Sequence, residues 1–202
     1  TLCKFTQLNQ RLLKVLTVDF CDSFTYNIVH YIESLCADVT VLSDHLVELD
    51  AIYLDSFDAL VLSPGPGLPE ETKSMYALLD KFALQIPVLG ICLGMQGIAQ
   101  FFGGELFNLE HVTHGVSKQL KVTAPVGLFA DLPTDLEVGL YHSWAISSVP
   151  DHFLVTSRLT ENGVVMSIAH KSLPVFGVQF HPESIMTKEG KKMIQNFVMS
   201  IQ

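Results

Sequence analysis

Short apolar runs alternate with helical patterns over residues 14–102, and this alternation restricts the possible folds more than any other feature of the sequence. The runs at 59–63 and 87–91 are almost continuously apolar, as in strands buried on both faces. Asp22 and Ser23 precede the first helical pattern, so their side chains are expected to cap its free N–H groups. Such alternation indicates an α/β fold with a mostly parallel central sheet flanked by helices. We predict strands at 14–20, 38–42, 59–63 and 87–91 and helices at 23–35, 70–84 and 95–102.

The pattern changes between residues 103 and 179, where short β-rich runs are broken by Gly, Pro, Asn and Asp. These runs predict antiparallel strands added to the parallel core. A last amphipathic helix is predicted at 188–201, and no repeat or linker interrupts the chain. We therefore expect a single domain over 14–202, preceded at 1–13 by an extension or remnant. The later predicted strands lie at 138–141, 153–157, 164–169 and 175–180.

Composition excludes several classes of protein. Of the 202 residues, 49% are hydrophobic and only 16% are charged, which excludes an intrinsically disordered chain. The balance of 12 basic to 21 acidic residues speaks against nucleic acid as a partner. No apolar run reaches the ~20 residues needed to cross a bilayer, and the N-terminus has no signal-peptide pattern, so no membrane partner is expected.

Four cysteines, Cys3, Cys21, Cys36 and Cys92, form no C-x-x-C pair. They therefore indicate neither a zinc site nor a dense disulfide frame, and no metal is expected. This usage favours a reducing, cytoplasmic compartment, in which one cysteine is retained for its chemistry.

Cys92 is the strongest candidate for that chemistry. The predicted strand 87–91 runs directly into G-x-C-x-G, and a predicted helix follows at once, which is the context of a nucleophile elbow. A helix N-terminus behind the sulfur favours the thiolate, and its free N–H groups, beginning with Leu93, can stabilise an oxyanion. The alternative is a buried structural cysteine before a helix. Gly90 and Gly94, together with the switch from strand to helix, favour catalysis.

A thiolate nucleophile needs a base, and the base needs an orienting group. His181 ends an apolar strand and Glu183 follows two positions later, on the same side of an extended chain. The alternative is a surface His and Glu at a strand end. His114 and His142, which we place in loops, and His170, which we place in a solvated turn, have no carboxylate two residues away.

The segment Ser63-Pro-Gly-Pro-Gly67 follows the predicted strand 59–63 directly. It is too short for a phosphate loop, but two prolines and two glycines make it rigid with an accessible backbone. Ligands of open α/β sheets bind at this edge. Since Pro66 has no N–H, an oxyanion donor here must be Gly65 or Gly67. For the loop alone, an ordinary tight turn is an equally good interpretation.

These three motifs, in this order, resemble those of the class I (triad-type) glutamine amidotransferases, and the resemblance extends from about residue 15 to the C-terminus. Within the family, the segments DSFTYN (22–27), YHS (141–143) and FHPESIM (180–186) are similar to the small subunits of anthranilate synthase and aminodeoxychorismate (p-aminobenzoate) synthase. The resemblance implies a flavodoxin-like core.

The same resemblance implies a role for each matching residue. Cys92 would be the nucleophile, His181 the base and Glu183 its orienting partner, with the N–H groups of Gly65 and Leu93 as the oxyanion hole. The substrate would be L-glutamine, hydrolysed through a thioester without a cofactor. Ammonia would pass to a chorismate-binding synthase subunit (component I) in a heteromer, for anthranilate (tryptophan) or p-aminobenzoate (folate) synthesis. Glutamine would be held by Gly65, Gly67, Gln96, and the backbone of Ser143 and Trp144.

The sequence departs from the family pattern at four positions. Phe20 stands where the family usually has Asn, and Met95 stands where it often has His. Leu140 replaces a frequent Arg and Val116 a usual Lys. We expect these changes to affect coupling to a partner more than glutamine hydrolysis. Two alternative functions are a stand-alone γ-glutamyl cysteine hydrolase and a non-catalytic regulatory partner.

Overall fold

The computed structural model describes residues 11–35 and 37–201, which include nine strands in one sheet and four α-helices. The strands are β1 (Leu13–Asp19), β2 (Ala37–Ser43), β3 (Ala59–Leu62), β4 (Val88–Ile91), β5 (Glu105–Val122), β6 (Asp135–Ser148), β7 (Phe153–Leu159), β8 (Val165–His170) and β9 (Val175–Val178). The helices are α1 (Thr25–Glu33), α2 (Met75–Phe82), α3 (Leu93–Phe101) and α4 (Gly190–Met199). The strand order is β2-β1-β3-β4-β9-β8-β7-β5-β6.

The first five strands of that order, β2, β1, β3, β4 and β9, run parallel and form what we call the parallel half. Their order matches the flavodoxin-like arrangement if β9 is counted as the fifth strand. The α/β class and the mostly parallel sheet are therefore confirmed. The grouping of 175–180 with the antiparallel strands was wrong in part, because β9 is antiparallel to β8 but parallel to β4.

The remaining strands, β8, β7, β5 and β6, pair antiparallel, as predicted for this part of the chain. No strand range was predicted for β5, although it is the longest of them. The longest of them, β5 and β6, pair along most of their length, and we call this pair the ribbon. The ribbon contains register shifts, one of them between Asn108 and Thr113. Residues on β5 are mostly exposed, whereas the middle of β6 is buried.

Helices cover both faces of the parallel half. Neighbouring strand residues point to opposite faces, so Val15 packs in one core cluster and Leu16 in the other. The first cluster includes apolar residues of α1 and α4, and the second includes those of α2 and α3. This double coverage explains why the strands of the parallel half are apolar without alternation.

Two helix boundaries differ from the prediction for identifiable reasons. The helix predicted at 70–84 begins at Met75, because the backbone N–H groups of Lys73 and Ser74 both donate to the Asp44 carboxylate at 2.9 Å. The helix predicted from residue 23 begins at Thr25 and has no side-chain cap. Asp22 instead accepts the N–H of Phe24, at 2.7 Å.

Within the described residues, no helix is both long and apolar enough to cross a membrane. The domain boundaries stay a prediction, since residues 1–10 lie outside the described part and β1 begins at Leu13. Cys3 and Cys36 also lie outside it.

Candidate active site

The candidate residues meet at one edge of the sheet, where β1, β3, β4 and β9 end at their carboxyl termini. Gly65 and Gly67 follow β3, Cys92 follows β4 directly, and His181 lies three residues after β9. Parallel strands present their carboxyl ends at the same edge, so residues far apart in sequence come together there.

Cys92 has the backbone geometry of a nucleophile elbow. Its φ is 52° and its ψ is −103°, a strained conformation for a residue with a side chain. Its N–H donates to the carbonyl of Val178 at 2.7 Å, which ties the elbow to β9. A Cβ on Gly90 would lie 2.5 Å from the backbone of Gly94, and one on Gly94 would overlap the carbonyl of Leu62. The two glycines are therefore required for the close approach of α3 to β3 and β4.

His181 and Glu183 form a buried pair. The Nδ1–H of His181 donates to Oε1 of Glu183 at 2.7 Å, and the side chains are 2% and 0% exposed. Burial alone lowers the pKa of His181, but the Cys92 sulfur and the Glu183 carboxylate outweigh it and raise the pKa to about 10. Among the described residues, Nε2 of His181 has no hydrogen-bond partner. This nitrogen is therefore available for proton transfer beside Cys92.

Two aromatic rings, which sequence reasoning did not assign to the site, hold the imidazole in place. Tyr141 packs edge-on against His181 with centroids 4.8 Å apart, and Phe24 does so at 5.8 Å. The two rings also contact each other, at 5.4 Å. Phe24 belongs to DSFTYN and Tyr141 to YHS, so these two motifs converge on His181. Only their position within distinctive motifs could have indicated this role.

The loop after β3 packs closely on Phe20 and Leu93. A Cβ on Gly65 would lie 2.6 Å from the carbonyl oxygen of Phe20 and 2.8 Å from the Leu93 side chain. The N–H of Phe20 donates to Oγ of Ser63 at 2.9 Å, and its side chain is buried. Phe20, one of the departures from the family pattern, therefore packs against this loop and helps to hold its position.

A cleft of about 130 Å³ opens above Cys92. Gln96, which lies on the first turn of α3, donates from Nε2 to the carbonyl of Trp144 at 3.0 Å and to Oε1 of Gln179 at 3.2 Å. Both bonds use the amide nitrogen, so Oε1 of Gln96 is the atom left for a ligand. All five residues predicted to hold glutamine line this cleft: Gly65, Gly67, Gln96, Ser143 and Trp144.

A second, wider cleft of about 680 Å³ also reaches Cys92 and His181. Its rim includes Phe24, Tyr141 and His114. The Cys92 sulfur therefore borders two openings, one narrow and one wide. Within the described part of the chain, no group of three or more His, Cys, Asp or Glu side chains could hold a metal ion.

The placement of His114 and His142 in loops was wrong. His114 lies in β5 and His142 in β6. Nδ1–H of His142 donates to the carbonyl of Trp144 at 2.9 Å. Burial lowers the pKa of His142, which favours the neutral ring. His142 thus shapes the cleft wall, and its Nδ1–H is held by a backbone carbonyl and by no carboxylate of the described residues.

Gln179 is a third residue near the site that the sequence did not identify. It is fully buried, and its Nε2 donates to Sγ of Cys92 at 3.5 Å. The sequence did contain a signal for this contact, because Gln179 lies inside the apolar run VFGVQF. A polar side chain buried with such a run needs a hydrogen-bond partner.

The other departures from the family pattern are structural. Met95 is fully buried and packs against Gly177 of β9. Leu140 and Val116 are direct cross-strand partners in the ribbon. The two apolar replacements therefore lie opposite each other, and Leu140 is the buried member of the pair.

Known proteins resemble this chain in sequence and in structure. The family model described as glutamine amidotransferase class-I matches residues 16–201. The aminodeoxychorismate/anthranilate synthase component 2 of Bacillus subtilis is 40% identical over 186 residues, which cover 91% of this chain and 95% of that protein. The anthranilate synthase component 2 of Lactococcus lactis is 40% identical over 190 residues, which cover 93% and 94%.

A Thermoplasma acidophilum protein, described as one component of a GMP synthase, superposes with a TM-score of 0.85 at 28% identity, covering 95% of both chains. The match over nearly the whole sequence, the relatives at 40% identity and this structural likeness agree with one another. The chain belongs to the class I glutamine amidotransferases.

Proposed function

We propose that this chain is a glutaminase subunit that hydrolyses L-glutamine at Cys92 and delivers ammonia to a chorismate-using synthase subunit. One observation carries the proposal: a strained elbow cysteine faces a buried His181–Glu183 pair at the base of a small polar cleft. We assign Cys92 as nucleophile, His181 as general acid and base, and Glu183 as the group that orients the imidazole.

The narrow cleft suits glutamine as the substrate. Oε1 of Gln96 can accept from the α-ammonium group, and Gly65, Gly67, Ser143 and Trp144 offer backbone polar groups. The side-chain amide of glutamine would then reach Cys92 at the bottom. A cleft that ends at the nucleophile selects a slender, unbranched side chain over a bulky one.

Acylation starts from protonated His181, because its raised pKa keeps the ring charged at neutral pH. We propose that the attacking group is the thiolate form of Cys92. The thiolate attacks the amide carbon, and the new oxyanion accepts hydrogen bonds from the N–H groups of Gly65 and Leu93. His181 gives its Nε2 proton to the departing nitrogen. The carbon–nitrogen bond breaks, which leaves a γ-glutamyl thioester on Cys92 and releases ammonia.

Deacylation uses the same groups in the reverse roles. His181, now neutral, takes a proton from water, and the resulting hydroxide attacks the thioester carbon. The carbon–sulfur bond breaks, glutamate leaves, and the thiolate and imidazolium are restored. Glu183 stabilises the imidazolium in both halves of the cycle.

The relatives named as synthase component 2 support a component I partner for this chain. The wide cleft that reaches Cys92 and His181 is the opening through which ammonia would leave toward that partner. The partner's own active site would decide between anthranilate and p-aminobenzoate. We place the complex in the cytoplasm, the compartment that the cysteine usage favours.

The test replaces Cys92 by Ser and compares two nitrogen sources in complexes with anthranilate synthase component I and aminodeoxychorismate synthase component I. Glutamine-dependent product formation should fall at least about 10³-fold, while ammonium-dependent formation by the partner continues. Retained glutamine-dependent activity would overturn the proposal.

Labelling with a diazo-ketone glutamine analogue separates the alternatives. An adduct on Cys92 supports a catalytic subunit, whereas no adduct supports a purely regulatory one. Rapid glutaminase turnover by the isolated chain, unchanged when either component I is added, would instead indicate a stand-alone γ-glutamyl hydrolase.

A further inference from the structure

Gln179 is a buried polar residue that has no role in the proposed acylation and deacylation steps. It follows β9 directly and precedes His181 by two residues. Its side chain is fully buried, and Nε2 donates toward the Cys92 sulfur at 3.5 Å. Gln179 does not line the narrow cleft, so it contacts the nucleophile from the protein side rather than from the substrate side.

The orientation of this amide is set by its neighbours. Oε1 of Gln179 accepts from Nε2 of Gln96, and the same nitrogen donates to the carbonyl of Trp144. His142 donates to that carbonyl as well, at 2.9 Å. Because Gln96 supplies a donor to the oxygen of Gln179, the NH₂ group of Gln179 must point at the sulfur.

A donor held against sulfur in a buried site stabilises the thiolate more than the thiol. Hydrogen bonds to charged groups are stronger than those between neutral groups, and a low local dielectric increases the difference. Because Gln179 is neutral, its N–H remains available when His181 has given up its proton and when the sulfur leaves the thioester. His181 alone cannot provide this at every stage, since its charge changes during the cycle.

We propose that Gln179 is a thiolate-stabilising donor for Cys92 and that Gln96 and Trp144 hold it in position. This inference rests on the proposed function, since it takes Cys92 as the nucleophile. It also gives Gln96 a second role, because one side chain contacts both the glutamine cleft and the amide that supports the sulfur.

The test is the pH dependence of Cys92 alkylation by iodoacetamide in Gln179→Met, with the adduct identified by mass spectrometry. Met keeps the length of the side chain and removes the donor. The pH at which the rate reaches half its maximum should rise by about one unit, so that alkylation at a pH below both midpoints slows about tenfold. Glutaminase kcat should fall more than KM changes, because Gln96 keeps its hydrogen bond to the carbonyl of Trp144 when its bond to Gln179 is lost.

Gln100→Met is the matched control, since Gln100 lies on α3 and accepts a hydrogen bond from Tyr76 far from the sulfur. Its alkylation profile should match that of the unmodified chain. A profile of Gln179→Met that also matches the unmodified chain would overturn the inference. The proposed function would survive that result if Cys92→Ser still abolished glutamine-dependent activity.

A second measurement needs no variant to fold. In the unmodified chain, the side-chain amide resonance of Gln179 should titrate with the same midpoint as Cys92 alkylation, and should shift when Cys92 is alkylated. An amide resonance that stays constant through the alkylation midpoint would overturn the inference independently.

Discussion

The parallel half and the ribbon contribute to the same site in different ways. The parallel half supplies the thiol, the imidazole, the carboxylate and the loop of Gly65, each just beyond the end of a strand. The ribbon supplies Tyr141 to Trp144, which lie inside strand β6 and line the narrow cleft. The groups that we propose make and break bonds thus lie just beyond strand ends. The wall of the narrow cleft and Tyr141, one of the two rings that contact His181, come from the ribbon.

The two regions also differ in how tightly their backbones pack. In the parallel half, backbone atoms approach so closely that a methyl group at Gly65, Gly90 or Gly94 would overlap its neighbours. In the ribbon, β5 is mostly exposed and its pairing with β6 contains register shifts. We therefore expect substitutions in the parallel half to change the rate of chemistry steeply, and those in the ribbon to change it by smaller factors.

After Cys92→Ser, the largest effect is expected for Gly65→Ala. The added methyl would lie 2.6 Å from the carbonyl oxygen of Phe20, so the loop must shift, and the N–H of residue 65 would leave the position from which we propose it binds the oxyanion. Glutaminase kcat should fall about 10²- to 10³-fold, as when one oxyanion donor is removed. Steady-state kinetics with the partner present measures it.

Gly163→Ala is the control for backbone strain. Gly163 has φ of 73°, but a methyl there would meet nothing within 4 Å. It should lower the free energy of unfolding by about 1 kcal/mol and leave kcat unchanged. If Gly65→Ala also left kcat unchanged, the steep response expected of the parallel half would be wrong.

A smaller effect is expected in the ribbon for Tyr141→Leu. Losing the ring 4.8 Å from His181 leaves the imidazole less well oriented, so kcat should fall about tenfold. Tyr141→Phe keeps the ring and loses only a 3.4 Å contact between its hydroxyl and Ser184, so its kcat should stay within about twofold. Equal losses in the two variants would show that the hydroxyl, and not the ring, matters.

The smallest expected effect is on stability and not on activity, and it concerns the charge of His181. The pKa of His181 is raised to about 10 in the folded chain, against about 6.5 when unfolded. Protonation therefore stabilises the fold fully below about pH 6.5, and this contribution is lost as pH rises toward about 10. Urea unfolding of the wild type and of His181→Gln at several pH values should show their difference shrinking over this window.

Glu183→Gln sharpens the same measurement. Removing the carboxylate removes one of the causes that raise the pKa of His181. When both chains carry Glu183→Gln, the difference in stability between His181 and His181→Gln should therefore disappear at a lower pH. A difference that does not depend on pH would show that folding does not raise the pKa of His181.

The sequence predicted the elements of the parallel half more accurately than the ribbon. Apolar runs and a G-x-C-x-G turn specify strands and the elbow locally, so Cys92 and the β3 loop were placed correctly. His142 was misplaced because a histidine in a Ser-containing segment has no local mark of a strand, and its pairing partner Thr113 lies 29 residues away. The late start of α2 likewise depends on Asp44, a residue of another segment.

By itself, the sequence determined the α/β class, the elbow and the closeness of His181 to Glu183, because each depends on periodicity or on spacing within a few residues. The extended conformation expected at 181–183 was wrong, since β9 ends at Val178 and the N–H of Ser184 closes a turn on the carbonyl of His181 at 3.2 Å. Only the tertiary structure decided that Phe24 and Tyr141 clamp the imidazole, that Phe20 supports Gly65, and that Gln179 reaches the Cys92 sulfur. Those contacts join segments that are distant in the chain. They exist because parallel strands bring their carboxyl ends to one edge of the sheet and the ribbon packs beside that edge.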